Sequence, residues 1–293
     1  MDHSLQRIGA SLSKNPELGK LSRRGFMLAT ATLASCKAAS TAPGAPVKTS
    51  PNTSYRTPSL GGPVPRNNVG NLSSNFSKGS GITFSRVLVS GNYIAMTFDD
   101  GPHPRNTPRL LDMLAMRNIK ATFYVIGRSV ELHPGVLRRT VAEGHEIGNH
   151  SHTHRLLSKL SDSEVRKEMQ LCQDAVGRAT GIRPSTMRPP YGGLLQRQRK
   201  LIHAEFGYPT ILWSVDPLDW KRPGPSLVAS RILKGTTAGG IVLAHDLHSQ
   251  TVDAMPATLD GLLKRGFKFV TVSQLIAMKA ETPGAQASNV PAS

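Results

Sequence analysis

The chain is predicted to fold as an α/β domain, a single barrel-like or open sheet of parallel strands. Three observations predict it. From about Gly81 onward, short apolar runs alternate with helix-patterned segments, which implies βαβ units. Roughly 200 residues carry this pattern, enough to bury one sizeable core. The acids Asp99 and Asp100 lie where an apolar run meets the turn Gly101-Pro102, and in parallel α/β folds sites collect at such strand ends.

The elements follow in order. Ile82-Thr83-Phe84 and Arg86-Val87-Leu88-Val89 read as short strands. Tyr93-Ile94-Ala95-Met96 leads a central strand into Thr97-Phe98-Asp99-Asp100-Gly101-Pro102. Pro108 to Met116 is a helix, with Leu110, Leu111, Leu114 and Met116 at helical spacing. Lys120 to Gly127 is a second buried strand. Pro134 to Glu143 is a helix that starts on proline and stops at Gly144. Ser161 to Ala179 is a longer helix, opening on the capping-box pattern Ser161-Asp162-Ser163-Glu164. Thr210 to Trp213 and Ile241 to Ala244 are strands. Val252 to Arg265 is a helix, Lys268 to Thr271 a strand, and Val272 to Met278 a short last helix.

The flanks differ in composition. Residues 1–36 read as an export signal, since Ser22-Arg23-Arg24-Gly25-Phe26-Met27 has a twin-arginine pattern. The apolar stretch that follows, Phe26 to Ala34, is too short to span a bilayer. It ends in Leu33-Ala34-Ser35-Cys36, which resembles the bacterial lipobox, where the cysteine is lipidated. Cys36 is therefore read as a lipid anchor to a membrane of the cell envelope, with a plain signal peptide as the alternative. Residues 37–80, rich in Ser, Thr, Pro, Gly and Asn, read as a linker. Residues 81–281 form the expected domain, and residues 282–293 read as a disordered tail. Cys172, in a helix-patterned stretch, is expected to pack as a small apolar group rather than pair with Cys36. The net charge of +17 is spread along the chain, which suits an anionic surface such as a membrane or wall polymer. Aromatics are 5% of residues and no basic stripe interleaves with them, which excludes a nucleic-acid partner.

Five clusters carry chemistry. Asp99 and Asp100 point to different faces yet can reach one cleft from the strand end. Four of the ten histidines lie in His145-Glu146-Ile147-Gly148-Asn149-His150-Ser151-His152-Thr153-His154. On a helical turn His150 and His154 would share a face; in an extended segment His152 would join them, and spacing alone leaves both open. Two imidazoles and one carboxylate, for which Asp100 is the natural choice, leave a divalent ion with open positions for water and substrate. Arg188-Pro189-Pro190-Tyr191-Gly192 fixes a cation and a phenol on a rigid loop. Trp213-Ser214-Val215-Asp216-Pro217-Leu218-Asp219-Trp220 is an acid-aromatic loop, with Trp213 expected in the core and Trp220 able to wall a sugar groove. Ile241 to His248 ends an apolar strand on His245, opening onto the same strand-end face as the acids.

In this order the clusters resemble the five motifs of the polysaccharide deacetylase family, carbohydrate esterase family 4. The matches are Thr97 to Pro102, His150 to His154, Arg188 to Gly192, Asp216 to Trp220 and Leu243 to Asp246. The resemblance implies a distorted (β/α) barrel and metal-dependent removal of acetyl groups from N-acetylated sugars. It assigns Asp100, His150 and His154 as metal ligands and Asp99 as general base. Arg188 would orient that base, His245 would be the general acid, and Asp219 would tune it. The Tyr191 backbone N–H would help bind the oxyanion, and Trp220 and Leu243 would wall the acetyl pocket. His152 departs from the family pattern and is expected to line the cleft rather than ligate. Zinc is the expected ion, with cobalt or nickel as substitutes.

The expected substrate is an amino-sugar polymer, peptidoglycan or chitin-like. Competing readings are an esterase for O-acetyl groups of xylan, hydrolysis of a non-sugar C–N bond, and a catalytically silent glycan-binding lipoprotein. The anchor is testable by fractionation. Cys36→Ser is expected to release the protein into the soluble fraction, since each buried acyl methylene contributes ~0.8 kcal/mol; unchanged membrane fractionation refutes it.

Overall fold

The structure, a computed structural model, describes residues 82–279. The export signal, Cys36, the linker and the tail lie outside the described residues. Among the described residues no helix is long and apolar enough to cross a membrane.

Strand β2, Tyr93–Asp99, is central. It pairs in parallel with β3, Thr122–Val125, on which β4, Glu146–Asn149, also pairs in parallel. It pairs as well with β6, Ile241–His245, and near its start with β7, Lys268–Phe269. Strands β1, Thr83–Phe84, and β5, Thr210–Ile211, form a separate parallel pair. Single parallel bridges carry the circuit onward: Asn149 to Met187, Met187 to Thr210, and Val215 back to Val242 of β6. The sheet thus closes through one-residue contacts on one side. This is a distorted barrel, regular at β4-β3-β2-β6 and loose elsewhere.

Eight helices are described: α1 Asn106–Ala115, α2 Gly127–Leu132, α3 Pro134–Ala142, α4 Asp162–Thr180, α5 Gln196–Phe206, α6 Pro225–Gly235, α7 Ser249–Lys264 and α8 Val272–Ala277. The capping box of α4 forms as its sequence predicts, with Ser161 as N-cap and Glu164 reciprocating. Differences from expectation have physical reasons. Arg86 to Val89 makes only one antiparallel bridge, Arg86 to Gly240, and is no strand. Three helices, α2, α5 and α6, are additional, as is β4.

Period-two alternation decides what faces the barrel interior. Ile94, Met96 and Phe98 pack outward with Phe123, Val125, Val242 and Ala244 against the helices. Ala95 turns inward with Tyr124, Ile211 and Ile241. By the same alternation Thr97 and Asp99 of β2, and Leu243 and His245 of β6, point inward. The interior is tightly filled beside β4: a Cβ on Gly148 would lie 2.3 Å from Cε1 of Tyr124. Gly148→Ala is expected to destabilise the fold by about 1–3 kcal/mol, read as a lowered denaturant midpoint with an unchanged slope.

Candidate active site

Asp99 ends β2 and is buried. Its Oδ1 accepts a hydrogen bond from Nη1 of Arg188 at 2.7 Å. Arg188 is itself fully buried. The same nitrogen donates to Thr97 Oγ1 at 2.7 Å, and Nη2 donates to the Leu212 carbonyl at 3.2 Å. The guanidinium lies 4.2 Å over the Tyr124 ring and 5.8 Å from Trp213. Trp213, expected in the core, is only half-buried there.

The segment from His150 to His154 is neither helical nor extended. Strand β4 ends at Asn149, and the chain then turns through left-handed backbone at Ser151 and His154. That turn brings the His150 and His154 rings to 5.0 Å and sends His152 elsewhere, its Nε2 3.9 Å from Glu131. His152 lines a separate cleft of about 580 Å3 with Arg128, Thr153 and Lys167. His145, in the same sequence cluster, is structural: its Nδ1 accepts from the Ala121 N–H, and burial pushes its pKa down to about 4.

Asp100 leaves the strand with φ 76° and turns toward the two imidazoles. Ligand atoms of Asp100, His150 and His154 lie within 4.8 Å of one another. The protonation pattern tests whether a cation fits. His150 Nδ1 lies 2.8 Å from the Arg188 carbonyl oxygen, which only accepts, so Nδ1 carries the proton. The neutral ring therefore presents a lone pair at Nε2, 3.4 Å from Asp100 Oδ1, and His154 Nε2 approaches the same oxygen at 3.1 Å. Asp100 Oδ1 is buried without a hydrogen-bond partner. Acceptors facing one another need a cation or protons between them, and a divalent metal fits this donor set. With protons instead, burial favours both neutral forms. The contacts outweigh it, holding the Asp100 carboxyl far below its ordinary value and the His150 imidazole above its own.

Across the barrel mouth, His245 ends β6. Its Nδ1 bonds Asp219 Oδ1 at 2.8 Å, and its backbone N–H donates to Asp219 Oδ2 at 2.8 Å. Thr251, at the start of α7, donates a second hydrogen bond to Oδ2, at 2.8 Å. Sequence reading missed Thr251; it stands six residues past His245 in an apolar-patterned helix. Leu243 lies two residues before His245 on the inward face and is buried. Tyr191, 69% exposed, packs edge-on against the His154 ring at 4.8 Å. Trp220 is 50% exposed on a short turn, Asp219–Lys221. Both aromatics thus face solvent at the rim. A cleft of about 380 Å3 runs beside Asp100 and His154, lined by Pro102, His103, Ser129, His133 and Leu247.

The polysaccharide deacetylase family model matches residues 88–211. A peptidoglycan-N-acetylglucosamine deacetylase of Bacillus cereus is 40% identical over 191 residues, covering 64% of this chain and 89% of that protein. The chain belongs to the polysaccharide deacetylase family. Another relative in the family, peptidoglycan-N-acetylglucosamine deacetylase PgdA of Listeria monocytogenes, is 44% identical over 188 residues. That match covers 64% of this chain and 40% of PgdA, so the chain spans well under half the length of this relative. The solved structure of peptidoglycan deacetylase PdaC from Bacillus subtilis superposes with a TM-score of 0.61 at 38% identity, covering 64% of this chain and 91% of that one. The distorted barrel is therefore the family's fold.

The His245–Asp219 pair has a titration signature. Burial alone would lower the His245 pKa, but the bond to Asp219 and its charge push it up to about 9. The folded value lies above the ordinary 6.5, so the pair stabilises the fold fully below that pH and loses this contribution as pH rises through about 9. NMR titration of the His245 ring is expected to show the raised midpoint, and Asp219→Asn to lower it; an unmoved midpoint refutes the coupling.

Proposed function

We propose that the chain removes N-acetyl groups from an amino-sugar polysaccharide of the cell envelope by metal-assisted hydrolysis. One observation carries this reading. Asp99 and His245 occupy the same rung of adjacent parallel strands, with the Asp100, His150 and His154 cluster beside them. Zinc is the ion proposed, since two imidazoles and one carboxylate suit it. When bound, it supplies Lewis acidity that polarises the acetamide carbonyl and acidifies water.

The chain's own residues do the rest. Arg188 occupies Oδ1 of Asp99, leaving Oδ2 free to accept a proton from attacking water. Asp219 fixes the His245 proton at Nδ1 when the ring is neutral and stabilises the imidazolium when it is charged. Nε2 of that imidazolium then delivers a proton to the departing amine. An amine does not leave as an anion, so it needs such a donor. An alkoxide leaving from an O-acetyl ester needs it less, and the raised His245 favours the amide reading. The Tyr191 backbone N–H serves the oxyanion, and Leu243 and Trp220 wall the methyl group.

Peptidoglycan is the proposed polymer. The names of the relatives support it, and so does a net charge of +17 facing an anionic wall. Export and lipidation at Cys36 would keep the enzyme at that wall. The test is mass spectrometry of muropeptides and N-acetylglucosamine oligomers, incubated with the zinc-loaded protein. Loss of acetyl mass is expected. Asp99→Asn and His245→Ala are each expected to lower kcat by roughly 10²–10⁴-fold, and a chelator to abolish release. No acetyl loss from any of these glycans refutes the reading.

A further inference from the structure

His150 and His154 stand at the two ends of a loop whose backbone is unfavourable by itself. Ser151 has φ 64° and His154 φ 59°, and left-handed backbone is uncommon for residues that carry a Cβ. The loop is held from two sides. On one, the carbonyls of Ser151 and His152 accept from the N–H groups of Gly127 and Arg128, at 3.0 and 3.1 Å. On the other, α4 places the carboxylate of Glu168 beneath the loop. Its Oε2 accepts from the N–H groups of His152 at 2.9 Å and Thr153 at 2.7 Å, and its Oε1 from Thr153 Oγ1 at 2.6 Å. Glu168 is 6% exposed. Successive N–H groups next to a left-handed residue form a concavity that takes an anion. Here the anion is a side chain of the same protein, and bonds to an ionised acceptor are about twice as strong as neutral ones.

The geometry points to Glu168 as a positioning residue for the metal centre. By clasping the loop between the two histidines, it keeps His154 Nε2 turned toward Asp100 Oδ1. It touches neither substrate nor ion. This inference rests on the reading that Asp100, His150 and His154 hold a divalent cation.

The experiment is zinc titration of the metal-stripped full-length chain against a chromophoric chelator, with thermal unfolding measured before and after loading. Glu168→Ala leaves the N–H groups of His152 and Thr153 without their acceptor and is expected to weaken zinc binding about 10- to 100-fold. Glu168→Gln keeps the shape and one acceptor but loses the charge, so a smaller loss in the same direction is expected. In both, the zinc-induced rise in Tm shrinks and kcat recovers at saturating zinc. Gln170→Gly, exposed on the same helix, is the control for mere helix stability: it lowers Tm of the metal-free protein and leaves zinc affinity unchanged. If Glu168→Ala fails to fold, Glu168→Gln decides alone. Unchanged zinc affinity in Glu168→Gln overturns the proposal. Failure of the wild-type chain to bind zinc overturns the metal reading instead.

Discussion

The site depends on one buried cation. Arg188 sits inside the barrel with its guanidinium removed from water, a placement that is costly unless the charge is paired and every donor is satisfied. Asp99 supplies the charge, Thr97 and Leu212 supply acceptors, and the Tyr124 ring lies beneath the plane. Its backbone carbonyl also accepts from His150. One residue therefore orients a carboxylate through its side chain and an imidazole through its main chain. Losing the guanidinium would leave the Asp99 charge uncompensated in the interior. The proposed base and the proposed metal centre are in this sense a single arrangement.

Around this centre the fold places some of the residues on strand ends and others on turns. Asp99 and His245 are the last residues of strands whose neighbours are fully packed. Asp100, His154 and Tyr191 all have positive φ on turns that follow an ordered segment. Such backbone costs of order 1–3 kcal/mol per residue and persists only where surroundings over-determine it. Those surroundings are visible for the histidine loop, where Asn149, Gly127, Arg128 and Glu168 each bind part of it.

Much of this was legible in the sequence, for identifiable reasons. Strands that end on chemically distinctive residues announce themselves, as β2 does with Asp99 and β6 with His245. The capping box at Ser161 is a local signal and forms locally. By contrast, Glu146-Ile147-Gly148-Asn149 has one apolar side chain in four, so β4 carries no periodic signature. It is a strand because β3 offers it a ladder. Helix α5 begins Gln-Arg-Gln-Arg-Lys and buries only Gln198 and Ile202, too little for a pattern. Glu168 looks like any acid on a polar helix, and Thr251 like any hydroxyl. Their partners lie far along the chain, and only the tertiary fold brings them together. The His150 to His154 segment defeated both regular readings because its geometry belongs to neither helix nor strand.

The alignment of Asp99 with His245 across β2 and β6 has a wider bearing. Neighbouring strands lie ~4.8 Å apart because peptide groups bond across them. The backbone interval between the proposed base and the proposed acid is thus inherited from the ladder, and no exchange of rim side chains can stretch it. A slip of one residue would turn the whole inward set of β6 outward. The exposed Tyr191 and Trp220 at the rim carry no such constraint, so their exchange leaves the interval between Asp99 and His245 unchanged.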